Sequence, residues 1–178
     1  MKTVYSFLLY SASLLGQKVT VPTNPYGGQC VSYVDHLTRW ATDNRYNLAY
    51  TNAIDLLAKA RANGIQVLYN DGKNVPQPGD IWVTRTYSHP YGHTGVFESV
   101  GGQPVTLEQN IDGNADALYN GGWCAERTAC SMPAVGWIII RRLRPRHSSA
   151  GLDCHLKVTQ QPLLMPQQIK KIERGNLQ

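Results

Sequence analysis

The stretch "NAIDLLAKARANGIQVLYNDGKNVPQPGDIWV", residues 52–83, changes grammar half-way along. In its first part Ile54, Leu56, Leu57 and Ala60 share a face at helical spacing, and Gly64 is a natural stop. Beyond that glycine "IQVLY" (65–69) reads as a short strand, "NDGKNVPQPGD" (70–80) as a turn cluster, and "IWVTRTY" (81–87) as an alternating strand. Upstream the helical pattern continues: Val31, Val34, Leu37, Trp40 and Ala41 predict a helix over 31–42. Downstream "HTGVFESV" (93–100), "PVTLEQNI" (104–111) and "VGWIIIRRL" (135–143) are short β-prone runs bounded by Gly, Pro or Asn. Two or three helices followed by five or six strands predict an α+β domain with an antiparallel sheet, not alternating βαβ units.

The length of 178 residues suits one domain with a sizeable core, and 42% apolar with 16% charged residues suits a globular protein. No run approaches the roughly eighteen apolar residues of a membrane span. Four cysteines are too few for a disulfide scaffold of this size. The net charge of +5 is unevenly spread. Residues 1–140 hold nine Lys/Arg against ten Asp/Glu, a net of −1, whereas residues 141–178 hold eight against two, a net of +6. The basic character therefore belongs to a tail, "RPRHSSAGLDCHLKVTQQPLLMPQQIKKIERGNLQ" (144–178), which has no convincing period. The expected organisation is a domain over 1–143 and a basic, poorly structured tail or linker over 144–178. A near-neutral body without interleaved basic and aromatic residues argues against a nucleic-acid binder. At the other end, "TVYSFLLYSASLLG" (3–16) has the length of an export-signal core, but Tyr5, Ser6, Tyr10, Ser11 and Ser13 interrupt it. It is read as a first helix packed on the body.

Chemistry centres on "NPYGGQCVSYVDHL" (24–37), where glycines end at Cys30 and a helix begins. A thiol there is either a small buried hydrophobe or a nucleophile whose thiolate the helix N-terminus favours. A cysteine nucleophile needs a base in reach and a group that orients the base. Of the five histidines, His36 is carried away from Cys30 by the helix, and His147 and His155 lie in the tail. His89 and His93 flank "PYG", and His93 is the better base because it opens a predicted strand between two glycines. The next strand offers Glu108 and Asn110, which alternation puts on one face; either could hold the far imidazole nitrogen.

"YGGQC", "PQPGDIWV", "GHTGVF" and "TLEQN", in this order over residues 20–143, resemble the CHAP family, the cysteine- and histidine-dependent amidohydrolases/peptidases, and above all bacteriophage endolysin catalytic domains. The resemblance implies a papain-like α+β fold with Cys30 as nucleophile, His93 as base, Glu108 as its orienting partner and Asn110 beside them. It also implies an oxyanion or substrate role for Gln29, Tyr26 and Gly27. Trp82 and Trp123 are candidates to line a groove. Several phage members carry an aspartate-rich calcium loop before the nucleophile; "VPTNPYGGQ" (21–29) has no carboxylate, so calcium is not carried over and no metal or cofactor is expected. A zinc site from Cys124, Cys130, His147 and Cys154 fits no compact spacing. "WCAERTAC" (123–130) is read as a loop, with Cys124 and Cys130 either bridged or left as buried thiols.

The implied function is hydrolysis of amide bonds in peptidoglycan, as N-acetylmuramoyl-L-alanine amidase or endopeptidase, ending in bacterial lysis. The alternative is a catalytically silent wall-binding or virion component on the same fold. The expected partner is peptidoglycan, with anionic wall polymers attracted by the tail. Stable membrane insertion is not expected, and the protein is expected to be a monomer. A lysin would be made in the host cytoplasm and then reach the cell wall. Members of this kind usually continue into a wall-binding domain, so the short tail is expected to be a single-domain terminus, a truncation or a link to a module elsewhere.

Overall fold

Helix α1 (Val4–Ser13) opens on a reciprocal cap: the Ser6 N–H donates to Thr3 Oγ1 (3.1 Å) and the Thr3 N–H to Ser6 Oγ (2.9 Å). The computed structural model describes residues 2–48, 51–86, 90–101, 103–111, 122–128 and 134–140, all within one compact unit, Met1–Pro145. The tail expected from residue 144 lies outside the described residues, as do His89, Cys130, His147, Cys154 and His155. α1 buries Phe7 and stacks Tyr10 on Trp40 of the next helix, with ring centroids 4.4 Å apart. That helix, α2 (Cys30–Ala41), buries Val31, Val34 and Leu37 at the predicted spacing. The 52–64 segment begins as a 3₁₀ turn (Ala53–Asp55) before α3 (Leu56–Ala62), and Gly64, at φ +76°, closes it in the left-handed region that glycine tolerates. No helix among the described residues is long and apolar enough to cross a membrane.

Among the described residues six strands follow: β1 (Val67–Tyr69), β2 (Ile81–Thr84), β3 (His93–Ser99), β4 (Val105–Gln109), β5 (Cys124–Thr128) and β6 (Ala134–Ile138). They form one antiparallel sheet in the order β1-β6-β2-β3-β4-β5. The architecture is α+β, as the order of helices and strands predicts. β5 is a correction, because it occupies the segment read as a loop. As an edge strand its ladder with β4 stabilises it, and it carries polar Glu126, Arg127 and Thr128 where alternating hydrophobics would have announced a strand.

The register sorts the side chains onto two faces. Ile81 opposes Val96 and Ile138, and Val96 opposes Leu107; these residues form the core with Val31, Val34 and Leu37 of α2 and Leu56, Leu57 and Ala60 of α3. The alternate positions, Trp82, Gly95 and Glu108, form a second row across β2, β3 and β4 on the opposite face. The core face holds the sheet against the helices, and the other row carries the polar chemistry.

Candidate active site

Cys30 is the first residue of α2, and the loop before it is folded back by its own polar groups. The Gly28 N–H donates to the Val19 carbonyl (3.1 Å), Asn24 Oδ1 accepts from the Tyr26 N–H (2.9 Å), and Ser32 Oγ–H reaches back to the Tyr26 carbonyl (3.0 Å). Gly28 sits at φ +70°, where a Cβ would strain the turn. This places the sulfur at the positive end of the helix dipole, beside first-turn N–H groups that lack acceptors within the helix.

His93 opens β3, and its Nε2 lies 2.9 Å from Oε2 of Glu108 on β4. Glu108 is only 3% exposed, and its other oxygen accepts from the Thr106 hydroxyl. The imidazole's remaining nitrogen, Nδ1, is the one left for the thiol, and His93 shares a side-chain hydrogen bond with Cys30. Burial by itself pushes the His93 pKa down. The charge and hydrogen bond of Cys30, followed by those of Glu108, outweigh it and push the value up to about 10. Residues 30, 93 and 108 thus meet in space although more than sixty positions separate the first two.

Gly95 makes the pairing of the strands around His93 close enough for this. A Cβ there would lie 2.7 Å from the Leu107 carbonyl oxygen and 2.9 Å from both Glu108 Cγ and Trp82 Cζ2. Trp82, read from the sequence as a groove residue, is 7% exposed, and its ring meets the imidazole edge-on at 5.5 Å. It packs beside the His93–Glu108 pair and is not available as an open groove wall. Trp123, by contrast, is 60% exposed.

Asn110 departs from the strand reading. β4 ends at Gln109, and Asn110 takes φ +63°, which ends the alternation that would have set it beside Glu108. Its amide therefore donates to Gln29 Oε1 (3.2 Å), and Glu108 alone of the two acceptors holds Nε2. Asn110 thus orients Gln29, the residue before Cys30.

Two residues escaped the sequence reading. Thr106 buttresses Glu108, as above. Gln109 is fully buried on the apolar face of β4 and bridges three elements. Its Nε2 donates to the carbonyls of Gln29 (2.8 Å) and Val19 (3.0 Å), while its Oε1 accepts from the Val19 N–H (2.7 Å) and the Cys124 thiol (3.1 Å). A polar residue at an inward position of "VTLEQ" was the available signal. Gln109→Leu is expected to lower stability by about 3 kcal/mol in denaturant unfolding, since it strands several buried backbone groups.

The other candidates fall elsewhere. His36 bonds the Tyr10 hydroxyl through Nε2 (2.7 Å). Cys124 is a free, buried thiol whose pKa burial pushes up to about 12, so it is chemically quiet at neutral pH. Among the described residues no three His, Cys, Asp or Glu side chains cluster as metal ligands.

Residues 20–110, just over half of the chain, match the CHAP domain family. The chain belongs to the CHAP family. Two solved structures share the CHAP fold seen here. The wild-type endolysin LysIME-EF1 aligns with a TM-score of 0.60 at 22% identity, over 78% of this chain and 64% of that one. Ly7917 aligns with a TM-score of 0.55 at 20% identity, over 77% and 62%, and is also known in a structure with the hydrolyzing product of MDP. This chain therefore spans less than two thirds of either protein. Among curated proteins none is significantly similar in sequence.

Proposed function

We propose that the protein hydrolyses amide bonds of bacterial peptidoglycan through Cys30, His93 and Glu108. The observation that carries this reading is the alignment of a helix-start sulfur, an imidazole raised in pKa, and a buried carboxylate 2.9 Å from the far ring nitrogen. Family membership and the endolysin folds support it.

The Cys30 thiolate attacks the amide carbonyl carbon, and the carbonyl π electrons move onto oxygen. The Cys30 N–H stabilises that oxyanion, with the Gln29 amide, oriented by Asn110, as the second donor. Collapse expels the amine, which takes the proton of the His93 imidazolium, and leaves a thioester on Cys30. The now neutral imidazole removes a proton from water as its oxygen attacks the thioester. Cleavage of the C–S bond restores the thiolate–imidazolium pair and frees the acid. Glu108 keeps the ring in one orientation and stabilises its cation. Tyr26 and Gly27 border the approach to the sulfur.

The bond cut is either muramoyl–L-alanine or one within the peptide. Mass spectrometry of purified walls after digestion separates the two. An amidase exposes new L-alanine amino termini on freed stem peptides, and an endopeptidase exposes amino termini inside the stem or cross-bridge. Walls that yield neither new end would overturn the proposal.

A further inference from the structure

Trp123 is a large side chain left in water that the reaction above does not use. The ammonium of Lys18 lies 5.5 Å from its ring centroid. The segment that carries it is fastened to both sides of the reaction centre. The Trp123 carbonyl accepts from the Asn110 N–H (3.4 Å), and the neighbouring Gly122 N–H donates to the Gly28 carbonyl (3.0 Å). The Cys124 N–H bonds the Gln17 carbonyl (2.8 Å), which keeps Lys18 beside the ring.

The register says where this lies. Gln109 opposes Cys124, so one step on Trp123 opposes Asn110. β3 opens at the end of the sheet where β4 stops, and there Glu108 holds the His93 ring. His93 at the start of β3, Asn110 just past β4 and Trp123 just before β5 thus lie at the same end of three adjacent strands. None of the ion pairs among the described residues engages Lys18.

We infer that Lys18 and Trp123 form a substrate subsite beside the cleaved amide, specific for a wall peptide bearing a free carboxylate. The indole supplies apolar area to the peptide, and the ammonium pairs with the carboxylate. The inference deepens the hydrolase reading and rests on it for the identity of the substrate. It also predicts that amidation of that carboxylate, which removes the charge and leaves the shape, weakens recognition.

The test uses the full chain carrying Cys30→Ala, which binds without cleaving, and soluble wall stem peptides in free-acid and amidated forms, titrated by calorimetry. The free acid should bind about threefold or more tightly than the amide at low salt, with the preference shrinking at high salt. Adding Lys18→Gln should equalise the two, and adding Trp123→Ala should weaken both about fivefold or more. Persistence of the preference in Lys18→Gln, unchanged affinities in Trp123→Ala, or no binding by Cys30→Ala alone would each overturn the subsite. Failure of the hydrolase reading has a different signature: Cys30→Ala binds the peptides, yet the wild type leaves them and intact walls uncut.

Discussion

Cys30→Ala is expected to abolish wall cleavage, by on the order of 10⁴-fold or more in kcat/KM, while the protein stays folded. The substitution removes one sulfur from the first turn of α2 and leaves the backbone of the loop before it tied by Gly28, Asn24 and Ser32. Alanine keeps the helix propensity of that turn, and the small cavity costs about 1 kcal/mol. What disappears is the only group in the site that can form the covalent thioester. Neither Glu108, held by His93 and Thr106, nor Cys124, kept protonated by burial, can replace it. Clearing of cell-wall suspensions and a thermal melt, run side by side, check the two halves of the expectation. Undiminished clearing by a folded Cys30→Ala protein would overturn the catalytic assignment and favour a silent wall-binding protein.

Glu108→Gln is expected to cost on the order of 10³-fold in kcat, with KM little changed. Glutamine matches the shape, and its amide can still meet both Thr106 and the imidazole, so the loss reports charge and ring orientation and not packing. Its pH signature is distinctive. In the wild type, Cys30 and Glu108 together raise the His93 pKa to about 10, so the imidazolium that protonates the leaving amine persists through neutral and mildly alkaline pH. Activity should fall as pH rises through that value, as the imidazolium is lost. Glu108 acts to raise the histidine, so its neutralisation must move the alkaline limb to lower pH. Profiles of kcat/KM against pH for the two proteins check this. An alkaline limb that stays in place would show that Glu108 does not act through His93.

Side chains that announce themselves locally were readable along the chain. The helical spacing of Val31, Val34 and Leu37, the stop at Gly64 and the turn cluster between β1 and β2 all follow from short-range rules that the fold does not override. Cys30, His93 and Glu108 stood out because each sits at the start of an element or on a short alternating run beside glycines. β5 was missed because an edge strand rich in polar residues draws its order from the partner β4. Asn110 was misread because alternation assumes that the strand goes on, and one left-handed residue ends it. Trp82 was misplaced because nothing local distinguishes an indole lining a groove from one packed against a histidine.

By itself, then, the amino-acid sequence determined the α+β class and the family and singled out Cys30, His93 and Glu108 as candidates, since these depend on residue type and on neighbours within a few positions. Only the tertiary structure decided that Glu108 and not Asn110 holds the imidazole, that Gln109 clasps the start of the Cys30 helix to the sheet, and that Trp123 shares an end of the sheet with His93. Those outcomes depend on strand register and on hydrogen bonds between residues as many as 90 positions apart. Pairing across such distances is set by the collective packing of the core, which no local stretch of the chain encodes.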